Sequence, residues 1–145
     1  MDMAHGLLLV HYEEVCLKAV IAIVEDDLAM LSLLKDLLEM EGFEVLAHAK
    51  PADFLTQLAT LKSPPDLLLS DVHLPGQSGI ELLHELNARG FQFPVILISA
   101  AASHALATEA EMAGAKTLMR KPFALEDLMS TIDEHLIFPP PAKSG

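Results

Sequence analysis

Short apolar runs alternate strictly with helix-forming stretches along this chain, and that alternation limits the possible folds more than any other feature. Ala19-Val20-Ile21-Ala22-Ile23-Val24 is β-branched and wholly apolar, as for a strand buried on both faces. Leu28–Glu41 has helix formers throughout, and Gly42 supplies a stop. Phe43–Ala47 reads as a second strand. Pro51 opens a helix to about Leu61, which Pro64-Pro65 breaks. Asp66–Ser70 is a third strand. Ser78 with Glu81 three positions on has the capping-box form and starts a helix to about Arg89. Pro94–Ile98 is a fourth strand, Ser103–Ala113 an alanine-rich helix closed by Gly114, Lys116–Met119 a fifth strand and Leu125–Ile137 the last helix. Strand–helix alternation with short links predicts an α/β fold: a doubly wound, five-stranded parallel sheet covered by five helices.

The length of 145 residues suits one domain with a core of its own. Residues 19–138 form that domain, with 1–18 as an N-terminal extension and 139–145 as a Pro-rich tail or the start of a linker. Nine basic against 21 acidic residues give a net charge of −12. Such a chain does not attract nucleic acid or anionic membrane, but it can hold a divalent cation. Cys16 is the only cysteine, which excludes an internal disulfide and a multi-cysteine zinc site and points to a cytoplasmic protein. The early apolar run Leu7–Val10 is too short for a signal sequence or a membrane span.

Parallel sheets place their sites beyond the carboxyl ends of the strands. Those ends carry Glu25, Asp26 and Asp27 after the first strand, Asp71 after the third, Ser99 after the fourth and Lys121 after the fifth. Each has a plainer reading alone: acids at a helix start balance its dipole, an aspartate suits a turn, a serine is an ordinary strand-end hydroxyl. Together they make a coherent site. Two like charges about 4 Å apart repel by roughly 4 kcal/mol at an effective dielectric near 20, so clustered carboxylates need a countercharge. An oxygen-rich set suits Mg²⁺, and Lys121 adds a second cation. An aspartate so placed can attack a phosphoryl group, with Ser99 donating to one of its oxygens.

These residues resemble the receiver domain of two-component response regulators over about Ala19 to Phe138. The matching pieces are Val24-Glu25-Asp26-Asp27, Leu69 to Gly76 with Gly79, Ile96 to Ala100, Gly114-Ala115 and Lys121-Pro122-Phe123. The resemblance implies a flavodoxin-like fold with Asp71 as phosphoacceptor and Glu25 and Asp26 as the acidic pair for Mg²⁺. It gives the backbone carbonyl of His73 as a further metal ligand, and Ser99 and Lys121 as the groups that contact the phosphoryl oxygens. Pro75 and Gly79 would shape the loop after Asp71, and Pro122 would follow a cis bond. The side chains of His73 and Ala101 would flank the path of the hydrolytic water. The implied partners are a sensor histidine kinase or phosphotransfer protein, and a downstream protein target or an output domain. A homodimer through the face of the fourth helix, fifth strand and fifth helix is permitted, since Lys116 and Arg120 face acids there. Catalysis would be limited to the domain's own phosphorylation and dephosphorylation, and the domain alone would bind neither nucleic acid nor membrane.

Leu118 departs from the family, which usually has an aromatic residue at that position. Leu118 either packs in the core or leaves switching to the segment after Ser99. The first helix is unusually apolar: Leu28, Leu31, Leu34 and Leu38 make one stripe, and Met30, Leu33, Leu37 and Met40 a second. One stripe suffices for a core, so the second is free for a partner or for residues 7–15. Three other functions compete. A receiver fold could signal without phosphorylation. A haloacid-dehalogenase-type phosphatase also uses an aspartate nucleophile, but it needs an acid where this chain has His73. A flavin carrier needs a phosphate loop that Glu25-Asp26-Asp27 would repel.

Overall fold

A computed structural model describes residues 18–136. Cys16, the segment 7–15, Ile137 and the tail 139–145 lie outside the described residues. The strands are β1 (Val20–Val24), β2 (Glu44–His48), β3 (Leu67–Asp71), β4 (Val95–Ser99) and β5 (Thr117–Arg120). The helices are α1 (Leu28–Met40), α2 (Pro51–Leu58), α3 (Gly79–Ala88), α4 (His104–Ala113) and α5 (Leu125–His135). The five strands pair in parallel in the order β2-β1-β3-β4-β5. This is the expected doubly wound sheet, whose strand order turns back beside β1.

Alternation along each strand divides the core between the two faces. Ala22, Val24, Leu68 and Leu97 meet Phe54 of α2, Leu82 and Leu86 of α3 and Ala110 of α4. Ile21, Ile23, Leu67, Leu69, Ile96 and Ile98 meet Leu34 and Leu38 of α1 and Leu128 and Ile132 of α5. Every residue of β3 and β4 is buried, so their polar ends, Asp71 and Ser99, are held by a ladder that has no room to slide.

Helix starts follow the local chemistry of the sequence. Ser78 Oγ accepts from Glu81 N–H and Glu81 Oε1 accepts from Ser78 N–H, completing the capping box of α3. Ser103 Oγ caps α4 by accepting from Leu106 N–H. Strand edges differ from expectation by about one residue. Asp66 precedes β3 because its carboxylate accepts from Val20 N–H at 2.7 Å, while Asp71 and Ser99 end their strands from within. α2 ends at Leu58 rather than Leu61, where Thr60 Oγ1 takes the Gln57 carbonyl.

Leu28 corrects the reading of α1. It was placed on the core stripe with Leu31, Leu34 and Leu38, yet it is 69% exposed. Only the later members of that stripe reach the core: Leu34 and Leu38 are buried and Leu31 packs partly against them. The second stripe is open at Leu33 and Met40 and half-buried at Met30 and Leu37. Leu118 is partly buried and packs against the core on the α2–α4 side, the plainer of its two readings.

Candidate functional site

The three acids after β1 separate into three roles. Asp27 is the N-cap of α1: its Oδ1 accepts from Met30 N–H at 3.1 Å. Asp26 is exposed at the mouth of the site. Glu25 turns inward and is 2% exposed, with its N–H donated to the His48 carbonyl and its Oε2 accepting from Asp27 N–H. The dipole-balancing alternative therefore fits Asp27 and leaves Glu25 to the site.

Asp71 sits opposite at the end of β3. Its Oδ1 accepts from His73 N–H at 3.2 Å, and its Oδ2 accepts from Lys121 Nζ at 2.9 Å. Lys121 Nζ also donates to Glu25 Oε1 at 2.8 Å, so one ammonium bridges two carboxylates from distant parts of the chain. Carboxylate oxygens of Glu25, Asp26 and Asp71 all lie within 4.8 Å of one another. The Lys121–Pro122 peptide bond is cis. Ser99 is fully buried beside this cluster, its Oγ accepting from Ala101 N–H at 3.0 Å. The His73 side chain is exposed, which leaves only its backbone engaged at Asp71.

The electrostatics match a site with unmet negative charge. Burial pushes the Glu25 carboxyl above its ordinary range, against the lowering effect of the Lys121 hydrogen bond. Burial pulls on Lys121 in the opposite sense, but its bonds to Glu25 and Asp71 outweigh that and hold the ammonium above its ordinary value. The pair thus favours a charged lysine more than a charged Glu25. Three hard oxygen donors at this spacing could hold a small divalent cation.

A groove of about 620 Å³ opens beside Asp26, lined by Leu28, Lys50, Pro51, Pro75 and Gly76 among others. Exposed Leu28 belongs to this rim. Sequence reasoning missed Lys50 and the groove, because the β2–α2 loop carries no motif.

The comparisons decide the family. The profile of the response regulator receiver domain matches residues 21–133. The chain belongs to the response regulator receiver family. Relatives include the transcriptional regulatory protein FixJ of Azorhizobium caulinodans, 40% identical over 101 residues, covering 70% of this chain and 47% of the relative. The transcriptional regulatory protein CpxR of Klebsiella pneumoniae is 42% identical over 113 residues, covering 77% of this chain and 47% of the relative. This receiver domain spans about half the length of those two relatives. Among solved structures, a CheY-like receiver domain protein from Methanospirillum hungatei superposes with a TM-score of 0.74 at 32% identity, covering 81% of this chain and 92% of that one. The crystal structure of FixJ-N superposes with a TM-score of 0.73 at 30% identity, covering 83% of this chain and 98% of that one. Among the described residues of this receiver domain, no helix is long and apolar enough to cross a membrane.

Removing the bridging ammonium tests these electrostatics. In Lys121→Ala, Glu25 and Asp71 face each other without a countercharge. Urea unfolding at pH 7 without divalent metal is expected to show a loss of about 2 kcal/mol, less than for a fully buried pair because the Lys121 side chain is 19% exposed. The folded pKa of Glu25 is raised, so its contribution to stability is complete below the unfolded value and is lost as pH rises through the folded one, and the variant loses more because the Lys121 bond that lowers this pKa is gone. The deficit should therefore shrink toward pH 4 and also on adding Mg²⁺ at pH 7. Equal stability of variant and wild type at both pH values would contradict the arrangement.

Proposed function

We propose that this receiver domain takes a phosphoryl group onto Asp71, with Mg²⁺, from a phosphohistidine on a sensor histidine kinase or phosphotransfer protein. The observation that carries this reading is the convergence of Glu25, Asp26 and Asp71 within 4.8 Å under one bridging lysine. Glu25, Asp26, Asp71 and the His73 carbonyl would hold the metal. When bound, Mg²⁺ offsets the negative charge of the phosphoryl oxygens. An Asp71 carboxylate oxygen forms the new bond to phosphorus as the bond from phosphorus to the donor's imidazole nitrogen breaks. Lys121 turns from the carboxylates toward a phosphoryl oxygen. The Ser99 hydroxyl, which accepts from Ala101 N–H, still has its own proton to donate to another. The apolar rim around Leu28, Pro51 and Pro75 gives the donor protein a surface beside the acids.

The output is a change in protein contacts at the β4–α4 end of the domain. It acts on a downstream protein target or on an output domain of the kind for which the longer relatives have room. A homodimer through α4, β5 and α5 is one form that output can take. A cytoplasmic setting fits a partner kinase that presents its phosphohistidine there.

Intact mass after incubation with acetyl phosphate tests the reading. One phosphoryl group should be gained with Mg²⁺ and none after chelation, and peptide mapping should place it on Asp71. No gain, either from acetyl phosphate or from phosphorylated kinases of the two-component type, would leave a receiver that signals without phosphorylation.

A further inference from the structure

The β4–α4 loop, Ala100-Ala101-Ala102-Ser103, follows Ser99 directly, and its three alanines have no side chain with which to fix it. The structure holds it at three points. Ala101 N–H donates to Ser99 Oγ at 3.0 Å, Ser103 Oγ caps α4, and Arg120 Nη2 donates to the Ala102 carbonyl at 3.0 Å. The third comes from another element. Arg120 is paired with Ser99 in the β4–β5 register, and the next residue, Lys121, donates its N–H to the Ser99 carbonyl at 3.0 Å. One strand end therefore sends consecutive side chains to the loop and to the carboxylates.

We propose that Arg120 is a positioning residue that holds the β4–α4 loop against Ser99 and so sets how Ser99 presents its hydroxyl to the phosphorylated site. The proposal rests on the phosphoacceptor reading above. With Arg120 bonded to Ala102, the loop is closed and Ala101 N–H is directed at Ser99 Oγ, which orients the hydroxyl while its proton stays available. Without Arg120, the loop has only its end anchors, and the hydroxyl loses the amide that orients it. Arg120 was read from sequence as a surface cation for a dimer contact. Within the domain its guanidinium engages a carbonyl of its own chain 18 residues away.

The test compares wild type with Arg120→Met, which keeps length without charge or donor, and Arg120→Lys, which keeps both. Amide exchange at Ala101, followed by NMR, should be about fivefold faster in Arg120→Met and near wild type in Arg120→Lys. Phosphoryl gain from acetyl phosphate should slow by about the same factor in Arg120→Met and recover in Arg120→Lys. Mg²⁺ affinity, by calorimetry, should stay within about twofold of wild type in both, because the acids proposed to hold the metal follow β1 and end β3, outside the β4–α4 loop. In a Ser99→Ala background, adding Arg120→Met should change the rate little, since one acts through the other.

Unchanged exchange at Ala101 would overturn the proposal. So would rate losses that multiply in the double variant, or a Mg²⁺ affinity that shifts in step with the rate, which would make Arg120 a distant charge. A wild type that takes no phosphoryl group defeats the underlying reading, while the exchange measurement still judges the hold on the loop separately.

Discussion

An Asp71→Asn variant is expected to gain no phosphoryl group from acetyl phosphate at any Mg²⁺ concentration, a loss of at least about three orders of magnitude. An amide oxygen is neutral and a poor nucleophile. This single oxygen can keep the bond from Lys121 Nζ, while the amide nitrogen in place of Oδ1 gives up the bond from His73 N–H, one hydrogen bond at the end of an otherwise complete ladder. The fold should therefore survive. Stability should move in the opposite direction from activity. Burial is the main reason that Glu25 resists ionisation, and the charge of Asp71 adds to it. Neutralising Asp71 removes that repulsion and should raise metal-free stability by about 1 kcal/mol. It also removes one of the three carboxylates proposed to hold Mg²⁺, so the stabilisation gained from the metal should fall. Lost activity with raised stability separates a chemical role from simple unfolding. A phosphoryl group still gained by the Asn variant would point to Glu25 or Asp26 as the acceptor. A less stable variant would mean that the Lys121–Asp71 pair outweighs the repulsion.

Much of this was legible in the sequence because parallel strands buried on both faces announce themselves. Runs such as Ala22-Ile23-Val24 and Leu67-Leu68-Leu69 have no amphipathic alternative, and Gly42, Ser78 and Gly114 mark helix ends by local chemistry. Strand ends were less legible because non-local bonds set them. The bond from Val20 N–H to the Asp66 side chain spans 46 residues, and it fixes where β3 begins. Leu28 was misplaced because periodicity counts the faces of a helix and does not tell which of its turns the core reaches.

The candidate site shows the same division. Glu25, Asp71, Ser99 and Lys121 could be found because topology brings strand ends together, and topology follows from alternation. Sequence could not say which of three consecutive acids turns inward. That depends on the His48 carbonyl, which takes Glu25 N–H, and on Asp27 being used as a cap. Arg120 left no signal, since its partner is a backbone carbonyl and every residue has one. Gly79 was read as a shaping residue of the loop, but the reason it must be glycine lies in a contact visible only in three dimensions.

That contact makes Gly79→Ala one of the most damaging single substitutions expected here. A Cβ at position 79 would lie 2.3 Å from the Asp71 carbonyl oxygen and 3.1 Å from Val72 Cα. Those atoms are backbone at the end of a fully buried central strand, so no side chain can turn aside. Backbone conformation is not the obstacle, because Gly79 lies outside the left-handed region. The obstacle is closeness: Gly79 N–H donates to the Val72 carbonyl at 2.7 Å and seats α3 directly against the end of β3. To admit a methyl group, α3 must retreat, straining that bond and unseating Ile80, Leu82 and Leu83 from the core. The net cost should be about 3 kcal/mol in urea unfolding, after alanine's better helix propensity returns up to about 1 kcal/mol. Any retreat that pulls on Asp71 also misplaces it relative to Glu25 and Lys121, and a displacement near 1 Å can slow phosphoryl gain about 100-fold. Gly76 supplies the control. Its φ is +86° with nothing within 4 Å of an added Cβ, so Gly76→Ala should cost only about 1 kcal/mol of backbone strain. If Gly79→Ala proved no more costly than Gly76→Ala, helix α3 would not be seated on the end of β3, and the position of Asp71 would have to be fixed by the sheet ladder alone.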